Sequence, residues 1–370
     1  MTQEIPLTSL QADSANIGSR IFFIDLLKAI SISSVVFYHA VFFPISTYFS
    51  AAIPELILVS PLRFCVPILL TISFFLFERE LSKPVTQSDW ATCKKRLIRI
   101  AIPTGFWFGL ATLIHLLKGN SLPEIIQEIL TGTIYLGAYF LLILLQLTPV
   151  YILVRRFFNS IRNILIVIFL QVIVFIIIKF FTFYGGAFGK TAIATLASIE
   201  RPFCIYWFAY MAIGYFLYHR LTALMNLSSS LPTVLKVLMI CITAIWIVCE
   251  YTNLIPNIGS HFYVFEYAFI ACIASVFVAF ISTASIQEKQ LPRIFTTLVR
   301  FLSKYSLGIF CINGILSQGF SLLGQRLFGG MTFSFLEVLT ARIIGLLILI
   351  TASLLISICL KKLGLKACVV

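Results

Sequence analysis

Long apolar runs separated by short polar stretches follow one another along the whole chain. Windows of about 19 residues predict ten membrane-spanning helices, at residues 21–43, 57–77, 97–117, 134–154, 163–182, 198–218, 231–251, 263–284, 303–323 and 338–360. The runs are continuous for about 20 residues, whereas the strands of a transmembrane barrel alternate at every second position. The pattern therefore predicts an all-α, polytopic integral membrane protein.

Composition agrees with this pattern and excludes a soluble globular domain. Hydrophobic residues make up 60% of the chain and charged residues only 11%, and the mean hydropathy is +1.03. Because the loops are short, we expect one transmembrane domain over residues 21–360, a cytoplasmic leader over 1–20 and a cytoplasmic tail over 361–370. Any catalytic or transport machinery must then lie within the helices.

The net charge of +13 is explained by the basic residues of membrane loops. Most of them fall at the termini or in the even-numbered connections between the predicted spans: Arg20, Lys83, Lys94, Lys95, Arg155, Arg156, Arg162, Arg220, Lys289, Arg293, Arg300, Lys361, Lys362 and Lys366. The odd-numbered connections hold little besides Lys118, Lys190 and Arg326. Since short cytoplasmic loops carry the excess of Lys and Arg, both termini are predicted to be cytoplasmic. A nucleic-acid partner is not expected.

Three ionisable residues, Asp25, Lys28 and His39, lie in the first apolar run. Ionisable groups within a bilayer are costly and usually mark a functional site. Lys28 and His39 are separated by about three helical turns and about 16 Å along the axis, so they share one face of the helix, and Asp25 lies one turn before Lys28. This face must therefore contact protein or a water-filled cavity.

The predicted orientation divides the polar residues between two depths. His39 and Arg63 fall near the outer surface, with Glu200 and Arg201 at the outer end of the sixth span. The inner group consists of Lys28, Arg96 and Arg99. Arg96 and Arg99 fit equally well as membrane anchors at a cytoplasmic boundary. For Glu200 and Arg201 a mutual ion pair near the headgroups is favoured over a catalytic role.

The remaining polar residues give weaker signals. His115, His219 and His261 lie at predicted boundaries or in loops, where a structural role is favoured, and Arg342 and Glu250 are ambiguous. The nine cysteines lie mostly in apolar runs without metal-ligand spacing, so no metal site is predicted. His39 alone among the histidines aligns with other buried charges, and imidazole can carry a proton near neutral pH.

The run from Asp25 through Lys28 to His39 resembles the first-helix signature of the membrane-bound acyltransferase 3 family, in which Arg follows Asp after three residues and His comes further on. Arg63 with Val66-Pro67 and Ser73 is similar to its second helix, and Arg96-x-x-Arg99 followed by Pro103 is similar to its Arg-x-x-Arg motif. Two later segments that fall in the family's order are Trp207 to Gly214 and Tyr305 to Ile309. The resemblance covers essentially the whole chain.

Three positions depart from the family's pattern. Lys28 replaces the usual Arg, which keeps the charge but loses the planar fork for bidentate contacts. Phe74 stands where a Gly is usual after Ser73, and Asn313 stands where many members carry His. These changes bear on donor binding and on substrate details, and they leave the assignment of His39 intact.

The resemblance implies an enzyme that transfers acyl groups, commonly acetyl from acetyl-CoA, to hydroxyls of surface glycans or lipid-linked saccharides. The pattern around Arg63 is most similar to the branch that modifies cell-surface polysaccharides, which implies a multi-pass protein of the bacterial inner membrane. The donor is a substrate, and no permanently bound cofactor is implied.

This chemistry suggests a role for each candidate residue. Arg96 and Arg99 would bind the phosphates of acyl-CoA, and Lys28 would bind a phosphate or the pantetheine arm. His39 would act as general base on the acceptor hydroxyl, and Arg63 would stabilise the oxyanion or hold the acceptor.

Asp25 and Ser73 receive supporting roles. Asp25 lies about 21 Å from His39 along the helix axis, so we expect it to pair with Lys28. Ser73 is a weaker candidate for a nucleophile because the sequence assigns it no base.

The alternative function is a proton-coupled transporter or a flippase for a saccharide or lipid-linked substrate. Buried Asp, Lys and His also serve ion pathways in such proteins. The two halves of the chain, however, show no matching pair of helices broken by Gly or Pro, which many transporters with inverted repeats contain.

Overall fold

The structure is a computed structural model that describes residues 21–83, 88–184, 203–253, 267 and 269–370, with the backbone alone at residues 49 and 182–184. Every regular element in these ranges is helical. The α-helices are α1 (Phe22–Tyr38), α2 (Phe49–Val59), α3 (Cys65–Leu81), α4 (Asp89–Leu117), α5 (Leu122–Thr131), α6 (Tyr139–Val154), α7 (Ile161–Tyr184), α8 (Phe208–His219), α9 (Leu221–Ser230), α10 (Thr233–Thr252), α11 (Ile270–Thr283), α12 (Arg293–Lys304), α13 (Ser306–Phe328) and α14 (Phe335–Lys362).

A helix lies within each of the ten predicted spans, although the bounds differ by several residues. Seven helical stretches among the described residues are long and apolar enough to cross a membrane: Ser50–Leu81, Asp89–Leu117, Tyr139–Asn159, Ile161–Phe181, Thr233–Thr252, Ser306–Phe328 and Phe335–Lys362. Helices α1, α8 and α11 are shorter, with 17, 12 and 14 residues. The protein is therefore an all-helical membrane protein, and the count of ten crossings stays a prediction.

The surface of the bundle is apolar, as a lipid environment requires. Large side chains on helices α7, α10 and α14 point away from the protein, among them Phe169, Leu170, Ile245 and Leu347. The predicted pair Glu200 and Arg201 lies outside the described residues, as does the leader over residues 1–20.

Helix α1 lies at the centre of the bundle. It packs against helices α3, α11, α12, α13 and α14, and most of its side chains are buried. Its polar residues therefore meet neighbouring helices, as the cost of exposing them to lipid demands.

The first predicted span was wrong at its end, because helix α1 stops at Tyr38 and residues 39–44 are not helical. Pro44 has no backbone N–H, and its ring disfavours helical dihedral angles at Phe43, the last residue of the predicted span. His39 is thus the C-cap residue of α1 and belongs to the turn that leaves the helix.

The second predicted span is also interrupted. A 3-10 turn at Ser60–Phe64 joins α2 to α3, and Pro61 stands at its start. Arg63 lies in this turn, whereas the sequence predicted that it would lie within a regular helix. The irregular backbone is buried between helices and beside a cavity, the places where a bilayer tolerates it.

Candidate active site

His39 lies beside two cavities. The smaller cavity has a volume of about 20 Å³ and is lined by residues that include Tyr38, His39, Arg63 and Tyr139. The larger cavity has a volume of about 690 Å³, and Tyr38 and His39 line it as well. The small cavity has room for about one water molecule, whereas the large one has the size of a ligand-binding site. The imidazole therefore lies at the wall of both a cavity of ligand size and a small cavity that Arg63 also lines.

Arg63 reaches the small cavity from the turn between α2 and α3. Its guanidinium donates a hydrogen bond to Tyr38 Oη at 3.0 Å and lies over the ring of Tyr251, with 4.1 Å from Cζ to the ring centroid. The side chain is buried, and such contacts with aromatic faces favour a cation. The two residues predicted for the outer level, His39 and Arg63, thus line one cavity.

The wall of the large cavity carries charged residues that the sequence did not assign to the site. Glu55 on α2 and Arg342 on α14 form an ion pair there, and both side chains are almost fully buried. Glu55 lies in an apolar run, so the rule that singled out Asp25 could have found it. Nothing in the sequence, however, shows that Arg342 approaches the end of α1.

His115 and Lys118 also line the large cavity. His115 Nδ1 lies 2.8 Å from Glu128 Oε2, and the amide of Asn120 is 3.2 Å from the same nitrogen. This histidine was expected to have only a structural role at a helix boundary. Its position brings a second imidazole to the cavity, held by a carboxylate of helix α5.

Arg96 and Ser73, two of the predicted site residues, contact each other between α4 and α3. The Arg96 guanidinium donates to Ser73 Oγ at 2.6 Å and to the Ser73 carbonyl at 3.0 Å, and it lies over the ring of Phe77 at 4.4 Å. Because a guanidinium donates hydrogen bonds and accepts none, Arg96 cannot serve as a base for Ser73. The contact fits a supporting role for this serine.

Arg99 has a different environment from Arg96. Its side chain is 58% exposed and pairs with Glu80 at 2.7 Å, at the edge of the bundle. Arg96 is half-buried and faces α3. The two arginines of the motif therefore have different partners, and a joint role in donor binding stays a prediction.

Asp25 is buried and accepts a hydrogen bond from the Ser303 hydroxyl of α12 at 2.5 Å. Lys28 is half-buried one turn further along α1. The contact with Ser303 supports the view of Asp25 as a structural residue, while its pairing with Lys28 stays a prediction.

Glu78, near the end of α3, is the centre of a polar network that the sequence did not reveal. Arg155 donates two hydrogen bonds to its carboxylate, at 2.7 and 2.8 Å, and Tyr151 donates a third at 2.7 Å. His219 Nε2 lies 2.9 Å from the same carboxylate. These contacts join the ends of α3, α6 and α8, so His219 does have the structural role that was favoured for it.

Two of the three positions that depart from the family's pattern, Phe74 and Asn313, are buried, whereas Lys28 is half-buried. Phe74 packs against Tyr151, with 5.3 Å between ring centroids, and fills the space beside α3 that a glycine would leave. Asn313 accepts a hydrogen bond from Ser317 at 3.3 Å, and Ser317 lines the large cavity. Asn313 therefore contacts a residue of the cavity wall through this hydrogen bond.

A family model described as an acyltransferase domain matches residues 21–362. Searches of curated proteins and of solved structures found no match to the chain. The match includes the central helix α1, the turn with Arg63, the α4 motif and the parts of α2, α4, α13 and α14 that line the large cavity. On this evidence the chain belongs to the acyltransferase 3 family and is an acyltransferase that transfers groups other than aminoacyl groups.

Proposed function

We propose that this acyltransferase moves an acyl group, most simply acetyl, from cytoplasmic acyl-CoA to a hydroxyl of a cell-surface or lipid-linked saccharide. The observation that carries the proposal is the position of His39 between the cavity of about 690 Å³ and the small cavity that contains Arg63. A base, a cationic hydrogen-bond donor and a space for an acceptor are the parts that ester formation from a thioester needs.

The reaction uses His39 twice. Its imidazole takes the proton of the acceptor hydroxyl as the oxygen attacks the thioester carbonyl, and a C–O bond forms. Arg63 donates hydrogen bonds to the oxyanion of the tetrahedral intermediate. When the C–S bond breaks, the imidazolium returns the proton to the departing CoA sulfur, so His39 ends the cycle neutral.

The acceptor binds in the large cavity. Its wall offers the hydroxyls and amide of Ser317, Gln318 and Ser321 together with Tyr48. Such groups suit a ligand that carries many hydroxyls, because each can donate and accept hydrogen bonds. This supports a saccharide rather than an apolar acceptor.

The donor enters from the opposite end of the bundle. Ser73, the partner of Arg96, lies about 12 Å along α3 from Cys65, and Cys65 lines the small cavity with Arg63. Arg96 and Arg99 then bind the charged nucleotide part of CoA while Lys28 binds the arm. Only the thioester end of the donor then has to reach His39, because the nucleotide part stays at the arginines.

The same proposal includes the topology. Ten crossings with both termini in the cytoplasm place the arginine motif on the donor side and the large cavity on the outer side of a bacterial inner membrane. The whole of residues 21–360 then forms one catalytic domain, and the protein needs no permanently bound cofactor.

The test is transfer of label from acetyl-CoA to de-esterified surface glycan by the purified protein in proteoliposomes. We expect label in the glycan and free CoA in equal amounts. Uptake of saccharide without acyl transfer would contradict the proposal and would indicate a carrier. Loss of a specific ester from the surface of a deletion strain would identify the acceptor.

A further inference from the structure

The last two carbonyl groups of helix α1 are bound by a charged side chain from α14. Arg342 donates hydrogen bonds from Nη1 to the carbonyl oxygens of Phe37, at 2.6 Å, and Tyr38, at 2.8 Å. The carbonyl groups in the last turn of a helix have no partner within the helix, and a cation complements the negative end of its dipole. Arg342 thus holds the two residues that directly precede His39.

Arg342 is in turn held by Glu55. The side chains of Arg342 and Glu55 form an ion pair, and they are only 4% and 2% exposed. A buried charge without its partner is strongly unfavourable, so each residue fixes the other. Glu55 belongs to α2, and the pair therefore connects α2 and α14 to the end of α1.

The backbone after His39 is held by close contacts with two glycines. A Cβ atom at Gly345, one turn after Arg342 on α14, would overlap the carbonyl oxygen of Ala40. A Cβ atom at Gly324 on α13 would overlap the carbonyl oxygen of Phe42. The chain after His39 therefore packs closely against α13 and α14, and a side chain at either glycine would displace it.

Several features distinguish this arrangement from an ordinary buried ion pair. Its hydrogen bonds go to the two residues that precede His39, and Arg342 and Glu55 line the large cavity together with His39. The turn that they hold also provides part of the cavity wall, including Val41 and Phe43. A shift of this turn would move the imidazole and the acceptor site relative to each other.

We infer that the Glu55–Arg342 pair and Gly345 are positioning residues that set the place of the His39 imidazole between the two cavities. The inference rests on the proposed function, because it assigns these residues a purpose only if His39 is the base. Misplacement of a catalytic group by about 1 Å can lower a rate by about 100-fold. The pair therefore has a measurable effect on catalysis without touching the reacting atoms.

The test compares Arg342→Gln, Arg342→Lys, Glu55→Gln and Gly345→Ala with the parent protein in the labelled-acetyl assay. We expect kcat to fall about 100-fold in Arg342→Gln and Glu55→Gln, with the KM for acetyl-CoA unchanged. Arg342→Lys keeps the charge but not the fork, so it should recover part of the rate. Glu288→Gln, which breaks the exposed pair with Arg300, should leave kcat as in the parent.

A second measurement separates positioning from a general loss of structure. In a His39→Ala background, Arg342→Gln should cause no further loss of the residual transfer, because the base that it positions is already absent. An equal loss in both backgrounds, or an increase in KM for the acceptor with kcat unchanged, would contradict the inference. The amount of acetyl-CoA bound at saturation gives the concentration of folded protein in each variant, and kcat is calculated from that concentration.

The outcomes also distinguish the inference from the function on which it rests. Transfer at the parent's rate by His39→Ala alone would contradict the proposed function, and the inference would fall with it. An inactive His39→Ala beside Arg342→Gln and Glu55→Gln with the parent's kcat would contradict the inference alone.

Discussion

Arg63 shares the small cavity with His39, and its guanidinium is directed by Tyr38 and Tyr251. A buried arginine between aromatic rings keeps its charge and its planar donors in one orientation. This is the preorganisation that stabilises a developing oxyanion, because the donors need not reorient during the reaction. At the scale of single residues, the proposed mechanism thus combines His39 as the base with Arg63 as a fixed cation.

Arg63→Lys tests this role of the guanidinium. The ammonium group keeps the charge but lacks the fork that reaches both Tyr38 and the small cavity. We expect kcat to fall about 100-fold, the effect of removing an oxyanion donor, while the KM for acetyl-CoA changes little. Steady-state kinetics of the variant check this, with Arg300→Lys, an exposed arginine, as the matched control. An unchanged kcat would leave Arg63 without a catalytic role.

Arg96→Gln and Arg99→Gln test the donor site. Charge-assisted hydrogen bonds contribute about 1.5–3 kcal/mol, so the loss of Arg96 should weaken the binding of acetyl-CoA about tenfold or more. Arg99 is exposed and paired with Glu80, and its loss should have a smaller effect. Titration calorimetry or binding of labelled acetyl-CoA measures both affinities. Unchanged affinity in both variants would support the view of these arginines as membrane anchors.

Some of these residues could be found from sequence because they break an apolar pattern. Asp25, His39 and Arg63 stand out in runs that are otherwise hydrophobic, and the structure brings His39 and Arg63 to one cavity. The contact of Arg342 with the end of α1 joins residues about 300 positions apart. No local pattern carries such a contact, because it depends on how α14 packs on α1.

At the scale of the helices, two groups of polar contacts lie at helix ends. The end of α1 is held by Arg342, and the end of α3 is held through Glu78 by Arg155, Tyr151 and His219. The sequence predicted the presence of helices in all ten spans because the apolar runs are long. It did not predict where α1 stops, and no local pattern shows the contact by which Arg342 of another helix holds this end.

Glu78→Gln tests the network at the end of α3. The carboxylate is fully buried and bound by Arg155, and removal of one member of a buried pair costs about 3–5 kcal/mol. We expect a clear decrease in the thermal midpoint of the detergent-solubilised protein, with normal transfer by the molecules that remain folded. Glu288→Gln, which removes an exposed pair, should change stability by less than about 1 kcal/mol. Equal midpoints for the two variants would contradict the assigned role of Glu78.

The described part of the molecule is a helical bundle with many large apolar side chains on its outer surface and with α1 at its centre. Composition and the length of the apolar runs were sufficient to predict that architecture. Neither of them shows that a large cavity lies beside His39, because a cavity results from the packing of several helices. The distribution of Lys and Arg further predicts which end of the bundle faces the cytoplasm.

Reporter tags at the two termini test the predicted orientation. In intact spheroplasts both tags should resist externally added protease, and both should be cleaved after permeabilisation. A tag inserted after Gly119, in the connection between α4 and α5, should be cleaved from outside. Cleavage of either terminal tag in intact spheroplasts would contradict the orientation and the proposed side of donor entry.

The central claim is that His39 is the base for acyl transfer, and the rate of His39→Ala tests it most directly. At saturating labelled acetyl-CoA and glycan, general base catalysis contributes about 10²- to 10⁴-fold, so the variant should be slower by at least about 100-fold while still binding acetyl-CoA. His261→Ala, which changes a histidine of a predicted loop, should transfer as the parent does. Undiminished transfer by His39→Ala would contradict the account.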